Sequence, residues 1–325
     1  MPTSTRHPGA LVLSQDFELH WGLRDHVRPG DPYERNLRGE RAAIDRMLAL
    51  FDERAVACTW ATVGMLFARD RAELERYSPA RKPHYEDARL DAYGETVGVD
   101  HHDDPIHFAS DVVERVQATP RQEIGTHTFS HFYCLEPGQT EADFRSDLES
   151  AVNIAKQRGI SIKSIVFPRN QVNPSYAAAL RDAGIVAYRG TQRAWMYSAR
   201  ARDPAPKRAA RLLDAYLPVA GDHLIGWDEL RDPDGLTCVR ASLFLRPWSR
   251  RLRRLEPVRI RRLRQAVRHA AQQRKILHLW WHPHNFGVDT DENLAVLRAI
   301  LDEYETCRVR HGMESLTMAQ VAERV

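Results

Sequence analysis

Short apolar runs alternate with stretches of helical periodicity along most of the chain. Residues 10–13, 56–62, 123–126, 162–167, 186–188, 224–227 and 276–281 have the length and composition of buried strands. Between them, apolar residues at helical spacing predict helices over 40–51, 143–157 and 175–183, the last stopped by Gly184. Repeated strand, helix, strand predicts an α/β fold around a largely parallel sheet, either a barrel or an open sheet, with chemistry at the strand ends.

Two stretches depart from this rhythm. Over residues 69–120 the pattern weakens into charged, proline-containing sequence, which reads as an excursion between strands that forms a lid or rim. Its cluster His101-His102-Asp103-Asp104-Pro105-Ile106-His107 is irregularly spaced and is read as a polar loop leading into a helix. Over 246–270, arginines recur among Trp248, Leu252, Leu255, Val258, Ile260, Leu263 and Val267. This basic amphipathic segment suits an anionic lipid surface or a phosphate, or is a solvated arginine-rich face. No internal repeat is visible, and residues 1–325 are read as one domain.

Composition narrows the function classes. With 325 residues and 43% hydrophobic content, the chain can bury a substantial core. It has no run approaching the ~20 apolar residues of a membrane span. Its polar start, Met1 to Pro8, runs straight into the first apolar strand, so a cytoplasmic location is expected. Cys58, Cys134, Cys238 and Cys307 are scattered without a C-x-x-C pair, which argues for reduced thiols rather than a disulfide framework. A net charge of +3 is too small to imply nucleic acid.

The chemistry concentrates in four places. Gly125-Thr126-His127-Thr128-Phe129-Ser130-His131 carries two histidines four residues apart at a strand end, and Asp16-Phe17-Glu18 follows another strand. Two neutral imidazoles and one carboxylate hold a borderline cation such as Zn²⁺ while leaving positions open for water and substrate. Thr128 follows His127 where the helical protease motif has glutamate, so a general base must come from elsewhere. A third strand ends in Trp280-Trp281-His282-Pro283-His284-Asn285, and a fourth in Phe167-Pro168-Arg169-Asn170-Gln171.

In this order, an acidic strand end, an H-x-x-x-H, an arginine after a buried strand and a late histidine strand resemble the polysaccharide deacetylase family. That family is also called the NodB-homology domain or carbohydrate esterase family 4, and the resemblance covers most of the chain. It implies a deformed (β/α) barrel of about seven parallel strands and metal-dependent hydrolysis of an amide on an amino sugar. Carried over, Asp16 would be the base and Glu18, His127 and His131 the ligands of Zn²⁺ or of another divalent metal such as Co²⁺, Ni²⁺ or Fe²⁺. Two motifs depart from the family: Asp-Phe-Glu stands where many members have adjacent aspartates, and Arg-Asn-Gln replaces an Arg-Pro-Pro-Tyr type of run. One residue between the acids is similar to intracellular deformylases acting on lipid-linked sugars.

General chemistry agrees with these roles. Asp16 would take a proton as water attacks, and His282, with His284 as competitor, would protonate the leaving amine. Arg169 is expected to pair with Asp16 and keep it ionised. Asn170 and Gln171 are candidate substrate contacts, and Trp21 a candidate wall of the sugar pocket. The expected substrate is an amino sugar on a nucleotide or polyprenyl-phosphate carrier, used in surface polysaccharide or lipopolysaccharide O-antigen biosynthesis, with possible contact at the inner face of the cytoplasmic membrane. A hydrolase of cyclic ureides or other non-sugar amides and an inactive glycan-binding domain are the alternatives.

Overall fold

The structure, a computed structural model, describes residues 7–28, 30–197 and 205–325. Its strands are β1 (Ala10–Phe17), β2 (Cys58–Thr62), β3 (Gln122–Thr126), β4 (Ser164–Ile165), β5 (Ala187–Tyr188), β6 (Thr237–Cys238), β7 (Leu243–Phe244), β8 (Ile276–Trp281) and β9 (Glu314–Leu316). The helices are α1 (Glu34–Glu53), α2 (Arg71–Tyr77), α3 (Ser110–Ala118), α4 (Glu141–Gln157), α5 (Ala177–Asp182), α6 (Ala205–Tyr216), α7 (Glu256–Gln273), α8 (Thr290–His311) and α9 (Met318–Ala322). Every strand ladder is parallel, in the order β6-β5-β4-β3-β2-β1-β8-β7.

Strand β1 is central and wholly buried. One edge pairs with β8 along Ala10 to Gln15. The other is shared end to end, with β9 against Ala10–Val12 and β2 against Ser14–Phe17. Side-chain alternation gives β1 two roles. Leu11 and Leu13 face the helical layer, in the main core with Met47, Phe51 and Leu297. Ala10 and Val12 face the barrel interior with Ala61, Val166, Ala187, Val239 and Ile276.

The sheet closes through one continuous passage. Strands β6 and β7 are two pieces of a single extended segment: the Val239 and Ala241 N–H groups donate to the Tyr188 and Gly190 carbonyls, and those of Ser242 and Leu245 to His278 and Trp280. The result is the deformed (β/α) barrel of parallel strands that the resemblance implies, with nine strand segments among the described residues. Because all the strands run the same way, their C-terminal ends and following residues gather at one mouth.

Three sequence readings change. Residues 224–227 form no strand ladder; Ile225 makes one antiparallel bridge to Ile276 and joins the interior core, and a 3-10 turn begins at Trp227. The 162–167 strand contracts to Ser164–Ile165, and 175–183 splits into the 3-10 turn Pro174–Tyr176 followed by α5. Strands β6, β7 and β9 had no expectation. Among the described residues, no helix is long and apolar enough to cross a membrane.

Candidate active site

At the barrel mouth Glu18, just past β1, is surrounded by four imidazoles. Its Oε2 lies 3.1 Å from His131 Nε2 and 3.3 Å from His127 Nε2. Its Oε1 lies 3.4 Å from His284 Nε2 and 3.6 Å from His282 Nε2. Burial works against ionising this carboxyl, but His282, His127, His131 and His284 outweigh it and hold the group well below the usual carboxylate range.

The loop after β3 presents its histidines without helical geometry. Thr128 and His131 both have positive φ, 64° and 55°, which folds the segment back on itself. Asp147 of α4 fastens it, accepting the Phe129 N–H at 2.6 Å, the Ser130 N–H at 3.1 Å and the Ser130 hydroxyl. Burial pushes the Asp147 carboxyl up to about 6 despite these donors.

The hydrogen bonds also orient these imidazoles. His127 Nδ1 lies 2.7 Å from the Val166 carbonyl, an acceptor, so Nδ1 carries a hydrogen and Nε2 faces Glu18. Tyr33 hydroxyl lies 2.8 Å from His284 Nδ1 and 3.3 Å from Asn285 Oδ1. His284 Nε2 is buried, faces Glu18 and has no hydrogen-bond partner. Imidazole nitrogens gathered around a buried carboxylate make a set of ligands for a cation. Glu18 with His127 and His131, and Glu18 with His282 and His284, each place three ligand atoms within 4.8 Å of one another. The donor set of imidazole and carboxylate therefore fits a divalent transition metal.

Asp16, the interior-facing acid of β1, is clamped by Arg189. Both guanidinium nitrogens reach its carboxylate at 2.7 Å, one to each oxygen. The same guanidinium donates to Ser14 Oγ at 3.0 Å and Asn170 Oδ1 at 3.1 Å, and lies over the Trp280 ring at 4.2 Å. Burial raises the Asp16 pKa, yet Arg189, His127 and His282 bring it below the ordinary value. His282 Nε2 is 3.7 Å from Asp16 Oδ2, and the ring is 24% exposed, so it touches both the acids and open space. Beside it opens a cavity of about 540 Å³, walled in part by Asn170, Leu243, Phe244 and Trp280.

Asp16, Glu18, His127, His131, His282 and His284 thus converge as the sequence suggested, and Asn170 joins them through Arg189. The other expected residues do not reach Asp16 or the cavity as proposed. Arg169, whose φ is 52°, pairs with Asp25 instead of Asp16 and lies over the Tyr133 ring, 4.4 Å from its centroid. Gln171 is buried and braces the preceding loop through the Leu135 N–H and Glu136. Trp21, 1% exposed, donates to the His107 carbonyl inside the fold and does not wall the cavity. Arg189 was missed, although its signal was present: it directly follows a short apolar strand, β5.

Comparison with known proteins agrees with the topology. No protein-family model and no curated protein sequence matches the chain. Solved structures do. A Mycobacterium smegmatis protein assigned as a polysaccharide deacetylase superposes with a TM-score of 0.59 at 14% identity, covering 100% of this chain and 93% of that one. Puue allantoinase gives 0.54 at 14% identity, over 99% of this chain and 91% of its own. A Pseudomonas aeruginosa PAO1 protein assigned as a polysaccharide deacetylase gives 0.53 at 13% identity, over 97% and 89%. The chain has the fold of these polysaccharide deacetylase structures.

Proposed function

We propose that the protein is a metal-dependent amidohydrolase that removes an N-acyl group, acetyl or formyl, from an amino sugar. The observation that carries this reading is the ring of buried imidazole nitrogens around Glu18, that of His284 without a hydrogen-bond partner, beside an aspartate kept ionised by Arg189. Glu18, His127 and His131 would hold the metal, with His284 on the far side of the same carboxylate. When bound, zinc or another divalent ion lowers the pKa of water and polarises the acyl carbonyl.

The chain's own groups supply the proton traffic. Asp16 accepts a proton from the attacking water, and Arg189 keeps both carboxylate oxygens aligned for it. Oxygen adds to the acyl carbon, and the C–N bond then breaks. His282, at the edge of the cavity, delivers a proton to the departing nitrogen, leaving acetate or formate and a free amine.

The proposed substrate is an amino sugar on a nucleotide or polyprenyl-phosphate carrier, in the cytoplasmic assembly of surface polysaccharide or O-antigen. Peripheral contact with an anionic membrane fits the outer face of α7 and the turn before it, where Leu255 and Val258 are exposed beside Arg251, Arg254 and Arg261. Incubating the purified protein and Zn²⁺ with N-formyl and N-acetyl amino-sugar nucleotides is expected to release formate or acetate; no release across a broad panel overturns the reading. The likeness to an allantoinase gives a second reading, hydrolysis of a cyclic ureide, which loss of allantoin in the same assay would favour.

A further inference from the structure

The cavity beside His282 is unusually basic for its size. Among the described residues, Arg208, Arg211, Arg246, Arg259 and Arg262 line it, against a single carboxylate, Asp214. That carboxylate is already engaged, accepting from the Tyr197 hydroxyl at 2.7 Å and the Ala220 N–H at 2.8 Å, with Arg262 at 3.6 Å.

Arg259 and Arg262 are likewise committed to the fold. Arg259 is buried and bonded to Glu256 and to the Arg246 carbonyl, and Arg262 donates to the Gly221 carbonyl. Arg246 differs. Among the described residues no carboxylate lies within ion-pair distance of its guanidinium, which is partly buried against Arg259 and Arg211. Burial and those neighbouring charges push its pKa down. Crowded guanidinium groups in a recess of low polarity are stabilised by an anion that neutralises several at once.

The same cavity continues to His282 and Asn170, past the rings of Tyr197, Phe244 and Trp280. One end is therefore cationic and the other catalytic, with aromatic walls between that suit a sugar ring. Its volume of about 540 Å³ lies within the range of small-molecule sites.

We propose that this cavity seats the phosphoryl or diphosphoryl group of the substrate, with Arg246 as its principal contact and Arg208 of α6 at its rim. The proposal rests on the N-deacylase reading for the identity of the reacting end, but anion binding itself needs no turnover. Phosphate ester and diphosphate share the chemistry read here, whether the carrier is a nucleotide or a lipid.

The test uses the metal-loaded protein with inorganic pyrophosphate as probe, titrated calorimetrically. Arg246→Ala is expected to weaken pyrophosphate binding at least about tenfold and the exposed Arg208→Gln about threefold, whereas Arg310→Gln, on the far end of α8, leaves it unchanged. Unchanged melting temperatures establish that each variant is folded, and Arg246→Lys, which keeps the charge, should recover part of the affinity. If pyrophosphate does not bind, or if Glu18→Gln rather than Arg246→Ala abolishes binding, the anion sits on the metal or nowhere and the proposal is overturned. Binding lost with Arg246 while no sugar amide is ever hydrolysed would overturn the N-deacylase reading and leave the anion site standing. Where turnover is found, Arg246→Ala should raise KM for nucleotide-linked or short-chain polyprenyl-diphosphate-linked N-acetyl sugar and leave that for the unphosphorylated sugar unchanged. The carrier whose KM moves more identifies the source of the phosphate.

Discussion

The two halves of the barrel are built differently. Strands β1, β2, β3 and β8 run for eight, five, five and six residues, and they deliver Asp16, Glu18, His127, His131 and His282. Strands β4 to β7 have two residues each, and their half of the mouth carries Arg189, Asn170, Gln192 and the arginine-lined cavity. Long ladders fix backbone position over many hydrogen bonds, which suits ligands that must hold fractions of an ångström. Short ladders leave most of the chain to loops, which suits a surface shaped around a substrate. On the proposed reading, chemistry sits on the first wall and recognition on the second, with Arg189 spanning the two.

The largest expected effect separates the walls by kinetic constant. Asp16→Asn should lower kcat by about a thousandfold or more while the metal content by mass spectrometry stays at the wild-type level. A fully active Asp16→Asn enzyme would remove the chemistry from the long-strand wall. Next comes the bridge. Arg189→Met leaves a buried, unpaired carboxylate and should cost about 3–5 kcal/mol in urea unfolding as well as most of the activity. Arg169→Met, which loses the Asp25 pair and the cation–π contact with Tyr133, should cost about 1–2 kcal/mol and change kcat less than tenfold. Equal effects of the two would show that Arg189 is not the clamp.

A smaller contrast comes from two glycines. At Gly287, just beyond His284, an added Cβ would lie 1.9 Å from the Asn36 carbonyl oxygen, because helix α1 rests directly on this turn. Gly287→Ala should destabilise by about 3 kcal/mol and loosen metal binding. Gly235, in the turn before β6, has φ +82° but open space around it, so Gly235→Ala should cost about 1 kcal/mol and leave the metal untouched. Thermal unfolding with and without metal checks both.

The smallest effect is a slope. His278, on β8 inside the barrel, is pushed down to about 3 by burial and by Arg189. It stays neutral in the fold, whereas the unfolded chain takes up a proton below pH 6.5. Stability is therefore present above that pH and is lost as pH falls toward 3, at about 1.4 kcal/mol per unit. Unfolding of His278→Gln between pH 7 and 5 should show a slope shallower by about one proton; an unchanged slope would mean that His278 is already protonated in the fold.

The same division explains what could be read from the sequence. Strands of five or more residues announce themselves by apolar runs, and the histidine pair and the acidic cluster stand out at their ends. Even there β1 reads too short, since Ser14, Gln15 and Asp16 break the apolar run while remaining in the ladder against β2. Two-residue strands have no period to detect. Conversely, Leu224 to Trp227 has strand composition because Ile225 fills the interior core, which rewards apolar residues in any conformation. The exchange of Arg169 for Arg189 lies in a turn where Arg169 and Asn170 both have positive φ, a backbone conformation that side-chain identity does not reveal.

The placement of β1 also bears on how the chain reaches this state. The strand that bears Asp16 and leads into Glu18 finds β2 soon after it is made, but its other partners are at 276–281 and 314–316. At ribosomal speeds that separation amounts to a delay on the order of tens of seconds. Throughout it, one apolar edge of the future catalytic strand has no native partner, and contacts so distant in sequence form slowly even in a finished chain. Nascent molecules are therefore at greatest risk of mispairing or aggregation at the very segment that carries Asp16 and Glu18, and chaperone supply during synthesis should govern the yield of active protein.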